Sequence, residues 1–162
     1  MSSSETDRRA ILLALAALAG CGFEPVYAPG GQGAGLRGRI DIATPADEEG
    51  YALVRRLEDR LGQGPAPDLR MDADIRITED PVGYLPDGTI SRYNVLGQVD
   101  WRLTRIADGA AVIHGSEKSF ASYSATSTTV ATIYAQRDAR RRLMVILADR
   151  IAADIMARAG SL

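Results

Sequence analysis

One cysteine and one histidine are all that 162 residues contain of either type. A single thiol closes no intrachain disulfide, and so few Cys and His residues exclude the ligand spacing of a structural metal centre. A lone His114 also leaves most acid–base and nucleophile templates incomplete. Basic charge is not in excess: 19 Lys and Arg stand against 21 Asp and Glu, for a net charge of −2. The cationic face of a nucleic-acid-binding protein is therefore not expected. Long apolar runs are missing too. The longest covers residues 10–19, short of the ~20 that cross a bilayer. Carboxylate pairs exist at Asp72 with Asp74 and at Glu79 with Asp80, but a solvated strand face does not push two pKa values apart. Ser116 and Ser119 lack the glycine-flanked elbow of a serine nucleophile. The reading has no catalytic residue, no cofactor and no metal.

What is present begins at the N-terminus. Arg8 and Arg9 precede a short apolar run, which closes on Leu18-Ala19-Gly20-Cys21. Charged start, apolar middle and small residues before a cut make an export signal. The four closing residues resemble a bacterial lipobox, in which the thiol receives diacylglycerol, the chain is cut before the cysteine, and the new amine is acylated. Each buried methylene contributes ~0.8 kcal/mol, and two or more acyl chains hold a protein on a membrane where one does not. Residues 1–20 are thus expected to be a signal peptide and residues 21–35, rich in Gly and Pro, a lipidated flexible tether. Residues 36–162 would form a single domain. Gly22 rather than Asp after the cysteine resembles lipoproteins destined for the outer membrane. Loss of Glu5, Asp7, Arg8 and Arg9 with the leader leaves the net charge unchanged.

Alternation from Leu36 to Ala43 predicts a first strand. Thr44 as cap and Pro45 in the first turn then open a helix with an apolar face of Val54, Leu57 and Leu61, helped by Tyr51 and Leu53. Gly62 and Gly64-Pro65 end it. Leu69, Met71, Ala73, Ile75 and Ile77 alternate with Arg70, Asp72, Asp74, Arg76 and Thr78, a half-buried second strand. After a turn-rich connection, residues 92–104 form a long third strand, and Asp108-Gly109 turns it into a fourth from Ala111 to about Ser124. Centring the turn there sets Trp101 opposite Ser116 and Phe120 opposite Gly97, with His114 on the side of Leu103. The same register opposes Asp100 and Glu117, which is unfavourable unless a bulge intervenes. Leu143, Leu147, Ile151 and Ile155 repeat every fourth residue in a helix over residues 131–159. The order β-α-β-β-β-α predicts an α+β two-layer sandwich: a four-stranded, mainly antiparallel sheet with two helices on one face. The other face stays polar and wet or meets a partner.

Several stretches together resemble the LPS-assembly lipoprotein family, LptE. They are Cys21-Gly22-Phe23-x-Pro25-x-Tyr27, Arg92-Tyr93-Asn94-Val95, Ser119-Phe120-Ala121-Ser122-Tyr123, and Ala135-x-x-Asp138-Ala139 leading to Leu147-Ala148-Asp149-x-Ile151. Residues 126–130 depart from the family pattern, lacking its asparagine and proline-tyrosine. The resemblance implies a lipid-anchored, non-enzymatic protein on the periplasmic side of the outer membrane. It would plug and support the β-barrel LptD, and serve delivery of lipopolysaccharide to the outer leaflet. Such a ligand carries phosphates, for which arginine is the fitting donor. Arg76 and Arg92, both on the polar strand face, are the candidates; a symmetric hairpin would set them side by side with a phosphate between. The alternative reading is an auxiliary lipoprotein of an ABC-type phospholipid transport system.

Overall fold

Period-two alternation dominates residues 69–124, and these residues form three long strands in a computed structural model that describes residues 34–125 and 128–161. A 3₁₀ turn (Ala34–Leu36) leads to β1 (Ile40–Ile42), α1 (Glu48–Leu61), β2 (Leu69–Tyr84), β3 (Ile90–Arg105), β4 (Ala111–Ser124) and α2 (Thr129–Ala157). The sheet order is β1-β2-β3-β4, with β1 parallel to β2 and the other pairs antiparallel. Both helices pack on one face, giving the expected α+β sandwich. No described helix is long and apolar enough to cross a membrane.

The core lies between sheet and helices. Leu53 and Leu57 of α1 meet Leu143, Leu147, Ile151 and Ile155 of α2, over Met71, Val95, Val99 and Leu103 of the sheet, all at most 1 % exposed. Burying such side chains contributes about 1.5–3 kcal/mol each. Gly97, fully on this face, lets α2 close in: a Cβ there would lie 2.9 Å from Leu143 Cδ2 and 3.0 Å from Leu147 Cδ1. Leu36 is buried in the same core, at the point where the chain enters the domain.

The elements differ from the sequence reading in four places. The first strand shortens to three residues, because Gly38 turns at φ 77° and the Arg39 N–H bonds back to the Leu36 carbonyl. Asp47, not Thr44, caps α1. Its extended backbone lets the carboxylate accept the Gly50 N–H at 2.7 Å, and Glu48 and Glu49 then fill the first turn. Tyr51 points outward, 68 % exposed. Strand β2 continues through Pro81, where bulges at Pro81/Gly83 and Gly83/Tyr84 absorb the residue that cannot donate.

The fourth difference is register. The hairpin closes with Thr104 opposite Ala111, two residues from the expected register, and a shift between Leu103 and Thr104 recovers one of them, so Asp100 pairs with Ser116 and avoids Glu117. One residue of slip reverses every side chain of a strand. Trp101 therefore lies opposite Gly115, not Ser116, and covers it; a Cβ on Gly115 would meet the indole at 2.6 Å. Phe120 faces Leu96 on the helix-free side, not Gly97, and His114 pairs with Arg102 there instead of sharing a side with Leu103.

Candidate functional site

Even-numbered residues of β2, β3 and β4 below the bulges point away from the helices and build one continuous polar face. Successive cross-strand rows read Asp72–Arg102–His114, Asp74–Asp100–Ser116, Arg76–Gln98–Lys118, Thr78–Leu96–Phe120 and Asp80–Asn94–Ser122. Asp74 and Asp100 are directly opposed, an arrangement that would repel if left alone. Arg76 resolves it: Nη2 reaches Asp74 Oδ2 at 2.6 Å and Nη1 reaches Asp100 Oδ2 at 2.5 Å. Asp100 also accepts from Gln98 Nε2 at 3.0 Å. Hydrogen bonds from Ser116, Gln98 and Arg76, in that order of weight, outweigh the opposing loss of hydration and bring the Asp100 pKa down to about 2. One row down the sheet, Arg102 and Arg70 lie within 4 Å of Asp72, and Arg70 also approaches Asp41 of β1. Asp72, Asp74 and Asp100 are thus partnered by arginines of the same face. Asp72, Asp74, Asp100, Arg102, His114 and Ser116 line a shallow concavity of about 690 Å³.

Arg76 and Arg92 both lie on this face but are not neighbours. Arg76 pairs across the hairpin with Gln98, and Arg92 with Gly83. Six positions along β3 separate Gln98 from Arg92, about 20 Å at strand rise, so one phosphate cannot bridge the two guanidiniums. The hairpin turns about residue 87, with Tyr84 opposite Ile90, whereas setting Arg76 against Arg92 would need a turn about residue 84. Arg76 already binds two carboxylates. Arg92 is exposed and stands with Ser122, Ser124 and Arg142 around a surface groove. Cys21 lies outside the described residues.

Sequence reasoning missed a second cluster, on the helix side at the upper end of the sheet. Glu79 accepts from Tyr123 Oη at 2.9 Å, Gln136 Nε2 at 2.8 Å, and Arg140 Nε and Nη2 at 3.0 and 2.7 Å. Arg140 Nη1 continues to Glu49 Oε1 of α1 at 3.0 Å. Tyr123 stacks on Tyr93 with centroids 5.2 Å apart. Burial pulls the Glu79 pKa up, but the bonds from Gln136, Arg140 and Tyr123 together hold it below the ordinary value. Burial first, and the Glu79 carboxylate second, push the Tyr123 hydroxyl up to about 12. This cluster ties α2 to both α1 and the sheet. Nothing local in the run Arg137, Arg140, Arg141, Arg142 singles out Arg140; only the inward turn of Glu79 does.

Fold and site define the class first: a small α+β sandwich with two helices on one side of the sheet and a polar, helix-free face on the other. The profile of the LptE family, described as Lipopolysaccharide-assembly, matches residues 38–155, well over half of the chain, and the chain belongs to that family. The fold is similar to that of a protein of Caulobacter crescentus described as a lipoprotein (23 % identity, TM-score 0.66, covering 80 % of this chain and 96 % of that one). It is also similar to the rare lipoprotein B of Shewanella oneidensis (13 %, 0.56, 75 % and 93 %) and to a minor lipoprotein of Acinetobacter baumannii (15 %, 0.54, 74 % and 89 %). No curated protein sequence matches the chain significantly.

Proposed function

We propose that this chain is anchored in the outer membrane through lipid on Cys21 and seats inside the lumen of the β-barrel LptD, where it supports barrel assembly and delivery of lipopolysaccharide to the outer leaflet. The observation that carries the reading is the helix-free sheet face. Barrel lumens are polar, and a face on which Arg70, Arg76 and Arg102 meet Asp72, Asp74 and Asp100 enters such a space with those charges already paired. Leu96 and Phe120, 38 % and 61 % exposed, give that face one apolar row for contact. Membership of the LptE family supports the same conclusion. Further apolar side chains stand exposed at the β2–β3 hairpin (Val82, Tyr84, Leu85) and on the first turns of α2 (Val130, Ile133, Tyr134), a concentration that suits a partner.

Arg92 is the stronger candidate for a lipopolysaccharide phosphate, since among the described residues no ion pair of its own is found. Arg76 is the weaker, because an incoming phosphate must compete with Asp74 and Asp100. The protein works by fit and not by chemistry. Isolation of the lipidated chain from mild-detergent extracts tests the reading. A large outer-membrane β-barrel should accompany it; recovery with an inner-membrane ABC transporter, or from the soluble fraction with a free thiol at Cys21, would contradict it.

A further inference from the structure

Strand β4 is the last of the sheet, so one side of its fourteen residues has no neighbouring strand among the described residues. Long open edges of this kind are templates for pairing with another chain. Two arginines of α2 and its C-terminal cap residue, Arg158, reach this edge from behind. Arg142 Nη2 donates to the Ser122 carbonyl at 3.3 Å, Arg150 Nη1 to the Lys118 carbonyl at 2.7 Å, and Arg158 Nη1 to the His114 carbonyl at 3.0 Å. The donors are eight residues apart and the acceptors four. Eight helical residues rise about 12 Å and four strand residues about 13 Å, so the two repeats stay in step as helix and strand run in opposite directions. Two of the three are oriented further: Asp138 holds Arg142, and Asp154 holds Arg158, whose guanidinium lies 5.8 Å from the Trp101 ring centroid.

The edge is also self-complementary. In the antiparallel register that sets Ser116 against Ser116 of a second copy, Glu117 faces Gly115, Lys118 faces His114 and Phe120 faces Val112. No acid opposes an acid, and two apolar side chains meet on the polar face. His114 and Lys118 would exchange bonds in that pairing through the carbonyls that Arg158 and Arg150 occupy. We propose that Arg142, Arg150 and Arg158 form a ladder that fills the acceptors of the β4 edge and so prevents a second copy of this chain from adding to the sheet there. Three fixed guanidiniums on backbone oxygens guard an edge by occupancy and by bulk, where natural sheets more often use a proline or an inward charge. The inference rests on this geometry alone and not on the family reading.

The test uses the full lipidated chain in detergent, with its protein mass followed by analytical ultracentrifugation across a hundredfold range of concentration. In a variant carrying Arg142→Met, Arg150→Met and Arg158→Met, which keeps the apolar stems, dimer should form at concentrations at least tenfold lower than for the parent chain. Adding Ser116→Pro, which removes an edge N–H without touching the β3 side, should restore the parent behaviour. A triple variant with parent-like far-UV dichroism and the parent's monomer fraction overturns the proposal. So does a dimer that persists after Ser116→Pro, since it forms elsewhere. If the triple variant does not fold, Arg150→Met alone decides by the same tenfold criterion.

Discussion

Replacing Glu79 by glutamine removes one charge from a site where three donors converge. The carboxylate accepts four bonds of 2.7–3.0 Å from Tyr123, Gln136 and Arg140, and hydrogen bonds to charged groups are worth about 1.5–3 kcal/mol each. They do not sum. Glu79 is 19 % and Arg140 35 % exposed, so water partly replaces what is lost, and Arg140 keeps Glu49. The amide that replaces one oxygen also turns donors toward donors. The balance is a loss of about 2 kcal/mol, near thirtyfold in the folding equilibrium. Urea unfolding at pH 7 in a Cys21→Ser background measures it. The pH dependence adds a sharper check. Because the folded pKa of Glu79 lies below its ordinary 4.5, its stabilisation is full above that value and disappears as pH falls through the folded pKa. The gap between parent and Glu79→Gln should therefore shrink toward acid. A loss below ~0.5 kcal/mol at pH 7, or a gap that grows in acid, would refute the reasoning.

Three further outcomes are expected. Gly97→Val drives a branched side chain into Leu143 and Leu147, both without exposure, and should cost about 2–3 kcal/mol in chemical unfolding. Asp47→Ala removes the α1 cap and should lower stability by about 1 kcal/mol, with Asp47→Asn recovering most of it. Carboxyl NMR titration should find Asp100 near a pKa of about 2, and Arg76→Ala should move it upward while leaving the fold intact.

Long periodic stretches were readable because one face of each is dry. The leucine and isoleucine repeat of α2 named its buried residues before any coordinates, and the layer order followed; of the β2 alternation Leu69 and Met71 are buried, Ile75 and Ile77 are half-buried, and Ala73 is exposed. Register was not readable, because the bulge at Leu103/Thr104 leaves no mark in composition, yet it decides whether His114 and Phe120 lie on the helix side of the sheet or on its helix-free side. Polar partnerships depend on register in turn. Arg76 looked like an anion site since Asp100 joins Asp74 beside it only once the hairpin is folded. The Glu79 cluster gathers residues 49, 79, 123, 136 and 140 from four elements, and no local pattern announces such a meeting. Asp47 and Thr44 are both good caps by type. The extended backbone at Asp47 and its reach to Gly50 settled the choice.

The central claim is that the helix-free sheet face meets the wall of a barrel. A photo-cross-linking residue at Gln98, in the middle of that face, tests it in cells, against the same residue at Tyr51 on the outer side of α1. The account predicts a strong adduct between Gln98 and the large β-barrel partner. No barrel adduct from Gln98, with the barrel captured from Tyr51 instead, would contradict it.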